Sequence, residues 1–350
     1  MKIAGNEKNL PSKLTLALSH PGEGIFRETT EHSTEKGDTR MPQMREVASG
    51  LKFPEGPVAM NDGSVLVVEV TRGTLTRVRP NGSKEVVAET GGGPNGAAFG
   101  PDGKVYICNN GGLKFTADGS PTEGLPDNYT GGCIQRVDID SGKVEVLYTE
   151  CNGHRLRGPN DIVFDATGGF WFTDFGKVQE RQKDRTAIYY AKADGSLIKE
   201  MIFPIDGPNG VGLAPGDARL YVAQTFEGRV WQWDIPRPGE LTRTQSEGGP
   251  LLAGPGGGKL LTGLPGYQLL DSMAVDSAGN VCVATLINGG ITVISPESGS
   301  VEFIPTGDPL TTNICFGGPD LKTAYITLTG TGKLVAMDWP RPGLKLHYSR

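Results

Sequence analysis

Short apolar runs, each opened by a polar residue and closed by glycine or aspartate, recur along this chain in one arrangement. The clearest copy is Gly158–Gly176: a polar head at Asn160, an apolar run, a turn at Gly168-Gly169, a second apolar run and a closing Asp174. Such a pattern predicts two strands of a hairpin. Aligned on the head, five further copies appear at Phe53-Pro-Glu55-Gly, Gly93-Pro-Asn95-Gly, Gly207-Pro-Asn209-Gly, Leu270-Asp271-Ser and Thr312-Asn313-Ile. Eight residues beyond the heads stand Gly63, Gly103, Gly168, Asp217, Gly279 and, in the last copy, Leu321. Second strands follow at 65–69, 105–109, 170–174, 220–224, 281–285 and 324–328.

Third strands are predicted at 74–78, 133–139, 187–192, 229–235, 290–295 and 333–338, and fourth strands at 84–89, 144–149, 198–203, 259–262 and 301–305. A four-strand unit repeating every ~50 residues is the signature of propeller blades. The expected fold is all-β, a six-bladed propeller. Its last blade lacks a fourth strand, and Arg45-Glu-Val-Ala-Ser49 has the form of the missing piece. Donated to the last blade, this N-terminal strand, within about 44–50, would close the ring and cover open edges. The expected organisation is a polar arm over 1–40 and one propeller domain over 41–350, with the long insertion 111–132 as a candidate lid.

Composition agrees with strands and turns, since Gly (52) and Pro (25) are abundant. A formal net charge of −6 with no basic cluster argues against nucleic-acid binding. Five cysteines without a CxxC pair read as reduced thiols, with Cys151 the most exposed by its place in a loop. No apolar run is long enough for a membrane span or a secretory signal, so a cytoplasmic protein is expected.

In a propeller the first strand of each blade lines the central channel, so Glu55, Asn95, Asn160, Asn209, Asp271 and Asn313 should ring one mouth. Second strands deliver Glu69, Asn109, Asp174 and Gln224 nearby. A single Pro-Asn-Gly is ordinarily a turn; six heads in register, two of them acids, suggest a ring of oxygen donors. Converging carboxylates and carboxamides are costly to leave unpaired. One divalent cation would relieve that cost, and an all-oxygen set suits a hard ion. Ca, Mg, Mn and Zn all fit such a site, and oligomeric state is left open. By loop position Phe115, Tyr129, Phe175, Phe226 and Tyr267 are candidates for an aromatic lining of the mouth.

The motifs Phe53-Pro-Glu-Gly-Pro57, Gly153–Asp161, Gly207-Pro-Asn-Gly210, Asp271–Gly279 and Thr312–Gly318 resemble those of the gluconolactonase and senescence-marker-protein (regucalcin) group. Paraoxonases and strictosidine-synthase-like proteins are its distant six-bladed relatives. The resemblance covers roughly residues 44–340. It implies a metal-dependent hydrolase that opens a lactone, with Glu55, Asn209 and Asp271 as metal ligands and Asn160 as a further ligand or substrate contact. It also places Asp271 as general base, and His154-Arg155 where some members carry a basic residue. Asn95, Asn109, His154, Arg155 and Asp174 are counted as substrate contacts, and Asn160 as a group that steadies the oxyanion. The substrate expected is a sugar lactone or, because Asn109–Phe115 departs from the sugar-lactonase pattern, a more apolar aryl or alicyclic lactone. Other readings are a non-enzymatic propeller holding calcium or a protein partner, and a related propeller enzyme of strictosidine-synthase or phosphotriesterase type.

Overall fold

The computed structural model describes residues 43–116, 121–244 and 253–350. The expected arm over 1–40 lies outside them, as does part of the 111–132 insertion. Six four-stranded antiparallel sheets are present. Their first strands are Pro54–Ala59, Pro94–Phe99, Pro159–Phe164, Pro208–Leu213, Leu269–Val275 and Thr311–Gly317. Each of these packs against the first strands of the sheets before and after it, and the last packs against the first, so the circle is closed.

The closing strand comes from the N-terminus. Arg45–Ala48 pairs antiparallel with Lys333–Asp338, placing Arg45 opposite Ala336 and Ala48 opposite Leu334, while Lys333 Nζ lies 2.9 Å from Glu46. Without it the Lys333–Asp338 edge would present unpaired backbone groups.

The core lies between blades rather than within one sheet. Six apolar clusters each span two neighbouring blades: Tyr106, Leu156, Phe164, Phe170 and Phe172 fill the seam between blades two and three, and Trp171, Tyr190, Trp231 and Trp233 the next. Second strands carry this packing on both faces, which is why they read as continuous apolar runs; every residue of Val65–Glu69 and Val105–Asn109 is buried. Burying each large apolar side chain contributes roughly 1.5–3 kcal/mol.

All six residues anticipated at the inner-hairpin turns have left-handed backbone: Gly63, Gly103, Gly168 and Gly279 at φ 81, 72, 81 and 83°, Asp217 and Leu321 at 57°. Cys151, expected to be exposed, is buried, because its short pairing with His154 turns the thiol under Ile198. Among the described residues no helix is long and apolar enough to cross a membrane.

Candidate functional site

The heads owe their placement to a fault repeated in every first strand. Pairing with the second strand slips between Glu55 and Val58, Pro94 and Ala97, Pro159 and Ile162, Pro208 and Val211, and Leu270 and Met273. A bulge re-aims the side chain it carries, and here it turns each head into the channel. The glycine after the head answers a close approach: a Cβ on Gly56, Gly96 or Gly210 would lie 2.4–2.5 Å from a main-chain oxygen of the next inner strand. Pro-Glu-Gly and Pro-Asn-Gly are therefore inner-strand signatures here, not hairpin turns.

Glu55, Asn95, Asn160, Asn209 and Asp271 line one cavity of about 220 Å³. In blade six the slip falls between Thr311 and Asn313, which sets Thr312 level with the other heads and Asn313 one step further along the channel. Asn313 accordingly borders a second cavity of about 510 Å³ at the opposite end, together with Gly56, Asp161 and the C-terminal stretch 344–349. That cavity is mostly apolar. Its one buried acid, Asp161, is engaged by the Val211 and Ile162 amides at 3.1 and 3.0 Å.

Two side-chain contacts at this level cross from one blade to the next, and one stays within blade four. Asn95 Nδ2 donates to the Asn160 carbonyl at 3.3 Å, Asn209 Nδ2 to Thr225 Oγ1 at 3.1 Å, and Asn313 Nδ2 to Glu55 Oε2 at 2.8 Å. Burial pushes the Glu55 carboxyl up to about 7, even though the Asn313 amide and the Gly56 N–H favour its charged form. Burial, and then the charge of Glu55, hold the Asp271 carboxyl well above the ordinary range. Asn160 Oδ1 is buried with no hydrogen-bond partner.

These features fit a hard divalent cation. Two buried carboxylates that repel each other, and a buried carboxamide oxygen with nothing to accept from, are each relieved by one such ion. Among the described residues no cluster of three or more His, Cys, Asp or Glu exists. The donors here are mixed, Glu55 and Asp271 from blades one and five with Asn160 and Asn209 from blades three and four.

The remaining expected contacts divide. Phe175 and Phe226 border the cavity with ring centroids 5.7 Å apart. Phe115 is not among the residues bordering the cavity; its ring meets that of the bordering residue Phe53 edge-on at 5.9 Å. Tyr129 borders no part of the cavity; it lies under the ammonium of Lys177, 5.1 Å from its ring centre, and donates its hydroxyl to the Arg157 carbonyl. His154 and Arg155 are exposed on a separate short hairpin, where Arg155 donates to the Thr130 carbonyl at 2.9 Å. Tyr267 is 74% exposed and outside the cavity.

Asn109 and Asp174 are spent on hydrogen bonds away from the cavity. Asn109 Oδ1 accepts from Gly93 and Gly111 at 2.9 and 3.0 Å, and its amide donates to Gly91 and Gln135 at 2.8 and 2.9 Å. Asp174 accepts from Arg157, Gly158 and Gly176 at 2.7, 2.7 and 2.9 Å, fixing the entry to the Asn160 strand. Neither lines the cavity, because the second strand's last residue is drawn into the turn that precedes the head.

Bordering groups that the sequence reading does not anticipate include Asn110, Thr225 and Leu286, which with Phe175 occupy the position just past the second-strand residue paired ahead of each head, and Leu113 and Lys177, which carry no repeat signal. Lys177 is the most consequential, being buried, with Nζ donating to the Gly112 carbonyl at 2.7 Å and its basicity lowered by burial to about 8. A lysine in a loop normally reads as solvated, so only its position two residues past Phe175 hinted at the mouth.

With this geometry in hand, known proteins place the chain. The model of the SMP-30/Gluconolactonase/LRE-like region matches residues 53–330. A gluconolactonase of Zymomonas mobilis is 25% identical over 297 residues, covering 77% of this chain and 75% of that protein. The lactonase drp35 of Staphylococcus haemolyticus is 26% identical over 259 residues, covering 73% and 70%. A solved regucalcin of Agrobacterium tumefaciens, described as calcium-binding, superposes with a TM-score of 0.64 at 17% identity over 87% of this chain and 98% of that one. A family match over most of the propeller, on a chain whose inner strands carry the heads in one register, has one reading: this protein belongs to the SMP-30/gluconolactonase/LRE-like family.

Proposed function

We propose that this chain is an enzyme that hydrolyses a small lactone in the cavity ringed by the five heads, with the help of one divalent cation. The observation that carries the reading is the partnerless Asn160 Oδ1 beside two buried carboxylates, Glu55 and Asp271. The lactonase names of its relatives support the reaction class.

Glu55, Asn160, Asn209 and Asp271 would hold the ion. A bound divalent ion supplies Lewis acidity at an ester carbonyl and acidifies water. The residues supply the rest. Asp271, whose burial makes it more basic than an exposed carboxylate, takes the proton of the attacking water as the tetrahedral centre forms. The Asn160 side-chain amide offers an N–H to the developing oxyanion. Water adds to the ring carbonyl, the ring C–O bond breaks, and the alkoxide leaves as a hydroxyl once it regains a proton. Phe53, Phe175 and Phe226 wall the mouth and favour a lactone with an apolar body over a polyhydroxylated one. Residues 111–116, which bring Leu113 to the cavity, would cover its mouth.

Asp271→Asn tests the assignment. It keeps an oxygen donor but removes one ligand charge, so metal affinity is expected to weaken, and with the ion supplied to saturation lactone turnover is still expected to fall by roughly 10²–10⁴. Retained turnover at full metal content would remove Asp271 as the base.

A further inference from the structure

Ten large apolar side chains are exposed among the described residues. Six lie on fourth strands, the outer edges of the sheets, and Leu346 lies in the C-terminal stretch. The other three, Phe226, Tyr267 and Ile287, belong to loops that meet beside the cavity. The Leu264 N–H donates to the Gly228 carbonyl at 2.8 Å, and the Asn288 side-chain amide donates to Gln268 Oε1 at 2.9 Å. Phe226 borders the cavity itself, and Ile287 follows Leu286, which borders it too.

Ile287 has left-handed backbone at φ 74° and is 46% exposed. A β-branched residue rarely adopts this conformation. At the same step past the second strand, blades two and three carry Gly111 and Gly176, at φ 79 and 77°. Glycine makes that turn without steric cost; blade five makes it with isoleucine. The turn is fixed from outside, by the Pro309 carbonyl accepting from the Ile287 N–H at 2.8 Å. Among the described residues the Ile287 side chain joins none of the six apolar clusters of the core. Backbone strain of this kind persists where a site uses the side chain.

The size of the cavity says what the rim would meet. At about 220 Å³ it is smaller than the ~300–1,000 Å³ usual for a larger ligand, so it suits one small ring. Any longer substituent must leave over the rim. On the side of blades four and five that rim continues the apolar lining, from Leu286 and Phe226 out to Ile287. The charged groups beside it, Lys183 and Glu227, lie 3.9 Å apart and offset each other.

We propose that Phe226 and Ile287 form an alkyl subsite, so that the substrate is a lactone carrying an apolar tail of several carbons. Its ring sits at the five heads, and its tail runs out between blades four and five. The lactone ring rests on the function proposed above; the tail subsite rests on the rim.

The test uses γ-butyrolactone and its analogues with ethyl, butyl and hexyl groups on the carbon beside the ring oxygen, on the full-length, metal-supplemented protein. The matching γ-lactams, which resist hydrolysis, are titrated by calorimetry. For wild type, kcat/KM and lactam affinity are each expected to rise about 2–4-fold per added CH₂, the gain from burying it in part or in full. Ile287→Asn and Ile287→Gly both suit left-handed backbone and remove the apolar surface. In each, the hexyl-to-unsubstituted ratio is expected to fall about 10-fold. Turnover that is indifferent to tail length in wild type overturns the proposal and leaves the lactonase standing. An unchanged ratio in both folded variants overturns it as well, as does a dimer that Ile287→Asn dissociates, which would give the rim to a second copy. Turnover of no lactone, with lactam affinity still rising with tail length through Ile287, would sink the lactonase reading and leave the subsite standing.

Discussion

Asn313 donates its side-chain N–H to Glu55 Oε2 at 2.8 Å, joining residues 258 positions apart where the last blade meets the first. The same contact closes the ring and orients a proposed metal ligand. Glu55 has one further donor on that oxygen, the Gly56 N–H at 2.7 Å. Asn313 thus acts through Glu55 from the far side of the channel.

Replacing Asn313 with Ala is expected to weaken metal binding by about 10–100-fold, the usual effect of losing a group that orients a ligand. Asn313→Asp would set a second acid against Glu55 and should also weaken it by repulsion. Metal titration followed by calorimetry reads the change; undiminished affinity in Asn313→Ala would mean that Glu55 needs no orientation from blade six.

Phe53 adopts left-handed backbone at φ 58°, where Gly207 of blade four has φ 53°. A non-glycine residue there costs about 1–2 kcal/mol. Its retention is accounted for by the ring, which borders the cavity and meets Phe115 edge-on. Phe53→Gly is expected to alter stability by less than about 1 kcal/mol, relief of the backbone offsetting the lost aromatic contact, while KM for the lactone rises several-fold. Denaturant melts and steady-state kinetics check the two halves; an unchanged KM would detach Phe53 from substrate.

Burial lowers the Lys177 ammonium from its ordinary value of 10.5 to about 8. The unfolded chain therefore holds this proton to higher pH than the folded one. Between about 8 and 10.5 the unfolded state binds more protons, so this group's contribution to stability rises with pH across that window. Below pH 8 both states are charged and the folded protein carries the full burial penalty. Lys177→Met should thus melt higher than wild type at pH 7, by an amount corresponding to about 3 kcal/mol at most, with the gap closing by pH 10.5. A gap that is constant with pH would show that the ammonium is not the source of the penalty.

How far the sequence reveals this molecule depends on which residues the repeat constrains. Every blade must present the same strand to its neighbours, so the apolar runs, the left-handed turn residues and the closing strand at Arg45–Ala48 are legible from recurrence alone. Five heads follow from the same register. The sixth does not: Thr312-Asn313, like Leu270-Asp271-Ser272, lacks the flanking proline and glycine, and here two polar residues compete for the position, which only the pairing of Asn313 with Thr327 assigns to Thr312. Asn109 and Asp174 illustrate a second limit. An Asn or Asp at a strand end looks the same in sequence whether it faces a channel or accepts backbone N–H groups in a turn. Lys177 and Leu113 illustrate a third, since they lie within loops between second and third strands that differ from blade to blade and carry no register to read.

The most direct test of the account is lactone turnover by protein stripped with chelator and assayed before and after one equivalent of divalent ion, with bound metal counted in the same samples. Turnover should fall at least 100-fold on stripping and return with about one ion per chain, as expected when a bound metal supplies the Lewis acid. Full turnover by protein that holds no metal would contradict it.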